Sequence, residues 1–351
     1  MTKTLLRHQC ASITLAAIAG LACSAANAVE IGDRFDLHGF GFQDYVQASA
    51  NGYLGADKKG SWDNNFLGLV MSAKLTDQSK FWAQLENTTG GGTAVTWAFA
   101  DYELSDALRV HVGRVKFPLG FYNEIIDAKG LQPAALEPSM YQTAADFVHD
   151  AYHGVGLDYE QDIGGGHALW QVYGGNVYDV DPPITSRDRR MFGGRVTYRT
   201  PVDGLTVMGS AYSTQVQVLA TGSMTNENRA IASVGYVSDA WDVKAEYAIH
   251  RFMGVKSNAW YVQASYALTD QWKPYLRYDS AVLDHSQRQD PSFYQDTAVA
   301  GVGYRINAAI GLKLESHFNR GYGLPVAEGS VAPGAGSRTW NLTVLAADFQ
   351  F

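Results

Sequence analysis

Apolar and polar residues alternate one by one along much of this chain, the period of a strand whose two faces meet different media. In FLGLVMSAKL (66–75), Leu67, Leu69, Met71, Ala73 and Leu75 share one face, while Ser72 and Lys74 share the other. DVKAEYAIH (242–250) sets Val243, Ala245, Tyr247 and Ile249 against Lys244, Glu246 and His250. AWYVQASYAL (259–268) sets Trp260, Val262, Ala264, Tyr266 and Leu268 against Gln263 and Ser265. In AAIGLKLESH (308–317), Ile310, Leu312 and Leu314 oppose Lys313, Glu315 and His317. The pattern predicts about sixteen strands, near 33–48, 62–76, 79–87, 93–104, 107–115, 151–160, 166–178, 189–200, 203–217, 227–238, 240–252, 256–268, 271–281, 293–306, 308–318 and 339–351. Alternation by itself fits a soluble sandwich as well as a barrel.

The connectors separate the two. LTDQ occurs at 75–78 and again at 268–271, with LSDA at 104–107 and VSDA at 237–240. Ser, Thr and Asp side chains bond to nearby backbone groups and close tight turns. Every second connection is of this short kind, whereas 116–150, 281–292 and 319–338 are long. Short turns at one end and long loops at the other mark a transmembrane barrel, with both chain ends at the short-turn rim. Phe81, Trp82, Trp241 and Trp272 follow the turns and are expected at headgroup depth as an interfacial girdle. A hairpin turn followed by a core aromatic explains one such copy, but poorly explains four in phase.

Composition agrees. Lys3 and Arg7 precede an apolar run from Ala11 to Ala22 and the small-x-small Ala26-Asn27-Ala28, the layout of a signal peptide over 1–28. That run is too short to span a bilayer comfortably as an anchor. A lipoprotein site at Cys23 is disfavoured because Gly20 stands where a bulky aliphatic residue is expected. Cys10 and Cys23 fall in this segment, which leaves 29–351 without disulfide or thiolate metal chemistry. Loss of Lys3 and Arg7 takes the formal net charge from −8 to about −10, a poor balance for binding nucleic acid. No run of 18 apolar residues follows, so a membrane helix is excluded while a barrel is not.

The chain stops at Phe351, with Phe349, Ala347 and Leu345 on the same strand face. That ending, the strand rhythm, the export segment and the long third loop resemble the Gram-negative outer-membrane porin superfamily across 29–351. GRVKFPLGFYNE (113–124) is similar to the GRxxxPxG-type segment of porin-like barrels, the phosphate-selective group included. The lysine- and arginine-rich ladder of a dedicated phosphate channel is not in the sequence. The resemblance implies an all-β, transmembrane, antiparallel up-and-down β-barrel with 116–150 folded into the lumen as a constriction loop. It also implies a passive diffusion channel for small hydrophilic solutes and ions, located in the outer membrane among lipid and lipopolysaccharide. Further implications are assembly machinery that reads Phe351, a homotrimer, and no cofactor or enzymatic activity.

If apolar residues face lipid, their neighbours line the lumen. The inward cations are then Lys74, Arg109, Arg195, Arg199, Lys244, Lys273, Arg277, Arg305 and Lys313, against Asp158, Glu160, Glu246, Asp279 and Glu315. A basic wall inside an acidic protein predicts modest anion preference, because local field sets ion selectivity. Pairs such as Lys244/Glu246 and Lys313/Glu315 offer the plainer account, mutual neutralisation across the wall. In the loop, Pro118, Pro133 and Pro138 stiffen a chain whose Phe117, Leu119, Phe121, Ile125 and Ile126 need apolar contact. Its acids Glu124, Asp127 and Glu137 would face Arg109, His111 and Arg114 in a transverse field, with Lys116 and Lys129 also at the constriction, unless the loop is an external cap or a trimer contact.

Enzyme motifs fare poorly. His149 and His153 have helical metal spacing, but on a strand their side chains would stand roughly 13 Å apart. GxSxG and P-loop signatures are absent. A barrel hydrolase without such a motif and a non-conducting adhesin or scaffold remain the alternatives.

Overall fold

The computed structural model describes residues 29–88, 91–142, 145, 147–177 and 186–351, so the expected signal peptide lies outside the described residues. The alternating segments all form strands. A short spur, β1 (Val29–Ile31), pairs back onto β2 (Phe35–Ala48). There follow β3 (Ser61–Lys74), β4 (Ser79–Thr88), β5 (Gly92–Ser105), β6 (Leu108–Lys116), β7 (Ala151–Ile163) and β8 (Gly166–Val177). Next come β9 (Ser186–Arg199), β10 (Leu205–Val218), β11 (Met224–Val237), β12 (Trp241–Phe252) and β13 (Val255–Tyr266). The last are β14 (Trp272–Val282), β15 (Tyr294–Arg305), β16 (Ile310–Gly321) and β17 (Thr339–Gln350). A one-turn helix, α1 (Gly323–Glu328), lies between β16 and β17.

Each of β2 to β17 pairs antiparallel with its sequence neighbour, and β17 pairs with β2 from Leu342↔Ala48 to Gln350↔Phe40. The sheet is thus a closed barrel of sixteen strands, and closure leaves none of the sixteen as a free edge. Gly39 and Phe351 exchange backbone hydrogen bonds of 3.0 and 2.8 Å at the seam. The rings of Phe349 and Phe351 lie over Gly41 and Gly39, where a Cβ would collide with them. Side-chain-free positions on β2 therefore let the last strand dock.

The repeated turns close as their residues dictate. Thr76 Oγ1 accepts from Gln78 N at 3.2 Å, Thr269 Oγ1 from Trp272 N at 3.0 Å, and Ser238 Oγ from Trp241 N at 3.0 Å. Gly164 and Gly165 both have positive φ, the backbone that a two-residue hairpin demands. The opposite rim is less uniform than its sequence promises. Beside the long connections it carries 219–223 and the pair 253–254, as tight as any turn below.

Exposure follows parity. Leu67, Met71, Trp170, Phe192, Val262, Leu276, Leu314 and Leu345 are exposed, and their neighbours in sequence are buried. Trp241 and Trp272 are 47% and 44% exposed on that outward face, as a girdle requires, but Trp82 is only 8% exposed. Phe81 and Trp82 are adjacent in a strand and so face opposite ways. Trp82 turns inward and donates its indole N–H to Asp101 at 3.3 Å.

The inward face is not uniformly polar. Phe40, Phe42, Val46 and Ala48 of β2 join Trp340, Leu342, Val344 and Ala346 of β17 in one buried cluster. The same cluster contains Phe117, Leu119, Tyr122, Leu136, Met140, Tyr141 and Phe147 of the 117–150 segment. On this sector both strand faces are apolar because a second layer of chain covers the inner one.

Candidate functional site

The 117–150 segment leaves β6 through Phe117-Pro118 and runs through three short 3₁₀ turns, Asn123–Ile125, Lys129–Leu131 and Ser139–Tyr141. Such a path leaves many backbone groups without ladder partners, and burial makes each of them costly. Inward carboxylates on three alternate strands take up part of that need. Glu246 of β12 accepts from Phe121 N at 3.0 Å, Tyr141 Oη at 2.5 Å, Tyr261 Oη at 2.8 Å and the Ser233 hydroxyl. Glu315 of β16 accepts from Ala135 N at 2.5 Å, Leu136 N at 3.4 Å, His317 at 2.7 Å and the Tyr275 hydroxyl. Asp279 of β14 accepts from the Ser139 hydroxyl and from Arg277 Nε at 2.7 Å.

Cations complete the attachment. Arg195 donates to Glu124 at 2.6 Å and to Gln171 at 2.7 Å. Lys116 reaches Asp127 at 2.6 Å and Asp150 at 3.1 Å, and Gln84 donates to the same Asp127 at 3.0 Å. Within the segment, Lys129 pairs with Glu137 at 2.5 Å and stands 5.2 Å over the Phe42 ring. Burial alone would lower the Lys129 ammonium, but the Glu137 carboxylate holds it above the ordinary lysine value. Arg277 donates to the Leu136 carbonyl at 2.7 Å, and Lys313 to the carbonyls of Lys129 and Ala134.

Arg109, His111 and Arg114, expected to oppose the loop acids, each meet a partner on the wall. Arg109 pairs with Glu103 at 2.7 Å, and His111 meets Asp158 at 3.0 Å, so both are engaged by wall acids. Arg114 follows Val110 and Val112 onto the outward face, opposite His153, and donates to the Val95 carbonyl at 2.8 Å. Arg199 stands inward at the short-turn rim across from His167 and Thr206. Lys244 pairs with Asp242 at 2.8 Å and lies 5.7 Å over the Tyr122 ring.

Lys273, Arg305 and Lys313 converge on a cavity of about 260 Å³ at the short-turn mouth, roofed by Gly130, Gln132 and Pro133. Arg305 is exposed, Lys273 is 42% exposed and 4.0 Å from Asp242, and Lys313 is 3.6 Å from Asp348. Asp242 and Asp348 were absent from the acids read off the sequence, although both sit at inward parity in their strands. So were Tyr141, Tyr261 and Tyr275, whose hydroxyls hold the carboxylates and whose type carries no sequence signal for that role.

No protein-family model and no curated relative matches this chain. Solved structures do. OmpF of Salmonella typhi, in complex with daunomycin, aligns with a TM-score of 0.65 at 15% identity over 92% of this chain and 100% of its own. The anion-selective porin of Comamonas acidovorans gives 0.60 at 14% identity, over 90% and 99%. The outer membrane channel DcaP of Acinetobacter baumannii gives 0.60 at 13% identity, over 92% and 99%. In fold, the chain is a porin-like β-barrel of sixteen strands.

Proposed function

We propose that the protein is an outer-membrane porin, a passive channel for small hydrophilic solutes and ions, whose 117–150 loop lies within the bore and sets its width. The observation that carries this reading is the attachment of the loop to inward carboxylates on β12, β14 and β16 of a closed barrel with an apolar exterior. A cap outside the barrel would have no access to Glu246, Asp279 and Glu315. The cationic mouth beneath the loop supports modest anion preference. The same reading implies export with loss of 1–28, a setting of lipid and lipopolysaccharide, assembly through Phe351, and a homotrimer.

Conductance in planar bilayers tests it. Purified protein should give discrete channel openings, and deletion of 124–137 should raise the single-channel conductance severalfold. Unchanged conductance in a correctly folded deletion variant would remove the loop from this role. A barrel that inserts but carries no current would be a scaffold or a hydrolase instead.

A further inference from the structure

The channel reading leaves one buried cluster without a task, at the long-loop end where 117–150 returns to the wall. His149 closes that segment. Asn123 Nδ2 donates to the His149 carbonyl at 3.0 Å and to the Phe117 carbonyl at 2.9 Å, clipping the two ends of the loop together. The imidazole lies beside the stacked rings of Phe117 and Tyr212, with centroids 6.5 and 6.3 Å away. Its position is therefore fixed by packing and by its own backbone.

His149 Nε2 is buried and has no hydrogen-bond partner among the described residues. It stands 4.0 Å from Asp188 Oδ2 on β9 and 4.0 Å from Glu227 Oε2 on β11. These distances exceed a hydrogen bond. The three atoms lie within 4.8 Å of one another. The point in their plane equidistant from all three is at most about 2.5 Å from each, within a few tenths of an ångström of the ~2.0–2.2 Å of imidazole and carboxylate ligands on zinc.

The other Glu227 oxygen is already engaged, by Arg229 Nη2 at 2.6 Å and His250 Nε2 at 2.7 Å. Those bonds orient the carboxylate and leave Oε2 turned toward His149. Hydrogen bonds of this kind commonly fix metal-ligating carboxylates. Two carboxylates and one imidazole suit a borderline divalent cation better than Mg²⁺ or Ca²⁺, which take oxygen ligands. The Arg229 charge weakens the site but does not occupy the ligand oxygen.

We propose that His149, Asp188 and Glu227 bind one divalent transition-metal ion, with Zn²⁺ as the probe and solvent in the fourth position. The bound ion would join the root of the loop to β9 and β11. The test uses untagged, full-length barrel in detergent, titrated calorimetrically with Zn²⁺ and examined by zinc-edge absorption. One zinc per chain is expected, with nitrogen and oxygen ligands at about 2.0–2.2 Å and an imidazole signature.

His149→Ala and Asp188→Asn should each weaken binding at least tenfold. His153→Ala, four residues on and facing outward, should leave it unchanged. Heat-dependent gel migration reports whether each variant still forms the barrel, and if one does not, the other decides. No stoichiometric zinc on the wild type, or binding that survives the substitution of a folded variant, overturns the proposal. Either failure leaves the channel reading intact, because conductance does not require the ion.

Discussion

Glu246 shows what a single inward residue does here. Its two oxygens take four donors from two strands and the loop. Alanine there would leave buried donors without an acceptor, at about 1–3 kcal/mol for each one that finds no substitute. Glu246→Ala should therefore lower the temperature of heat-modified gel migration and raise single-channel conductance by freeing the loop. A variant with wild-type migration and conductance would show that the loop is held elsewhere. At this scale, period-two parity placed Glu246, Asp279 and Glu315 inward from sequence alone. Trp82 and Arg114 were misjudged for a physical reason: each was assigned by its place after a turn or in a motif, and parity decides orientation regardless.

The strands were legible as elements because each needs one face for lipid and one for the bore. The repeated Thr and Ser turns were legible for a local reason, since the hydroxyl bonds the backbone two or three residues on. The path of 117–150 was not, because its partners are distant in sequence: Ala135 and Glu315 are 180 residues apart. One hint stood in plain view, the unbroken apolar run VLAA (344–347) in β17, which a strand exposed to a watery lumen would not carry.

The Lys129–Glu137 pair allows a prediction for this element. A lysine value raised by folding contributes fully below the ordinary lysine value and is lost as pH climbs through the higher folded value. Protease resistance of the loop should then be flat from about pH 5 to 9 and fall only in strong alkali, about the lysine range. Loosening centred near neutrality that Lys129→Gln abolishes would contradict the assignment.

For the whole molecule, the field matters more than the net charge of −8. Most inward cations are spent on acids or loop carbonyls, so they neutralise the wall instead of charging the pore. Lys273 and Arg305 are exposed at the short-turn mouth, where the buried Lys313 and the acids Asp270 and Asp348 share the lining. With Asp242 4.0 Å from Lys273, these cations set no more than a weak field at the mouth. A field of that size predicts a modest preference for chloride, weakening as salt shortens the Debye length to about 3 Å at 1 M. Lys273 and Arg305 are the exposed members, so Lys273→Glu with Arg305→Glu should leave the barrel folded. In a KCl gradient the wild type should show a reversal potential of the sign for chloride, and the double variant one shifted toward potassium. A wild type selective for potassium would mean that acids nearer the axis govern permeation and that the basic mouth is structural.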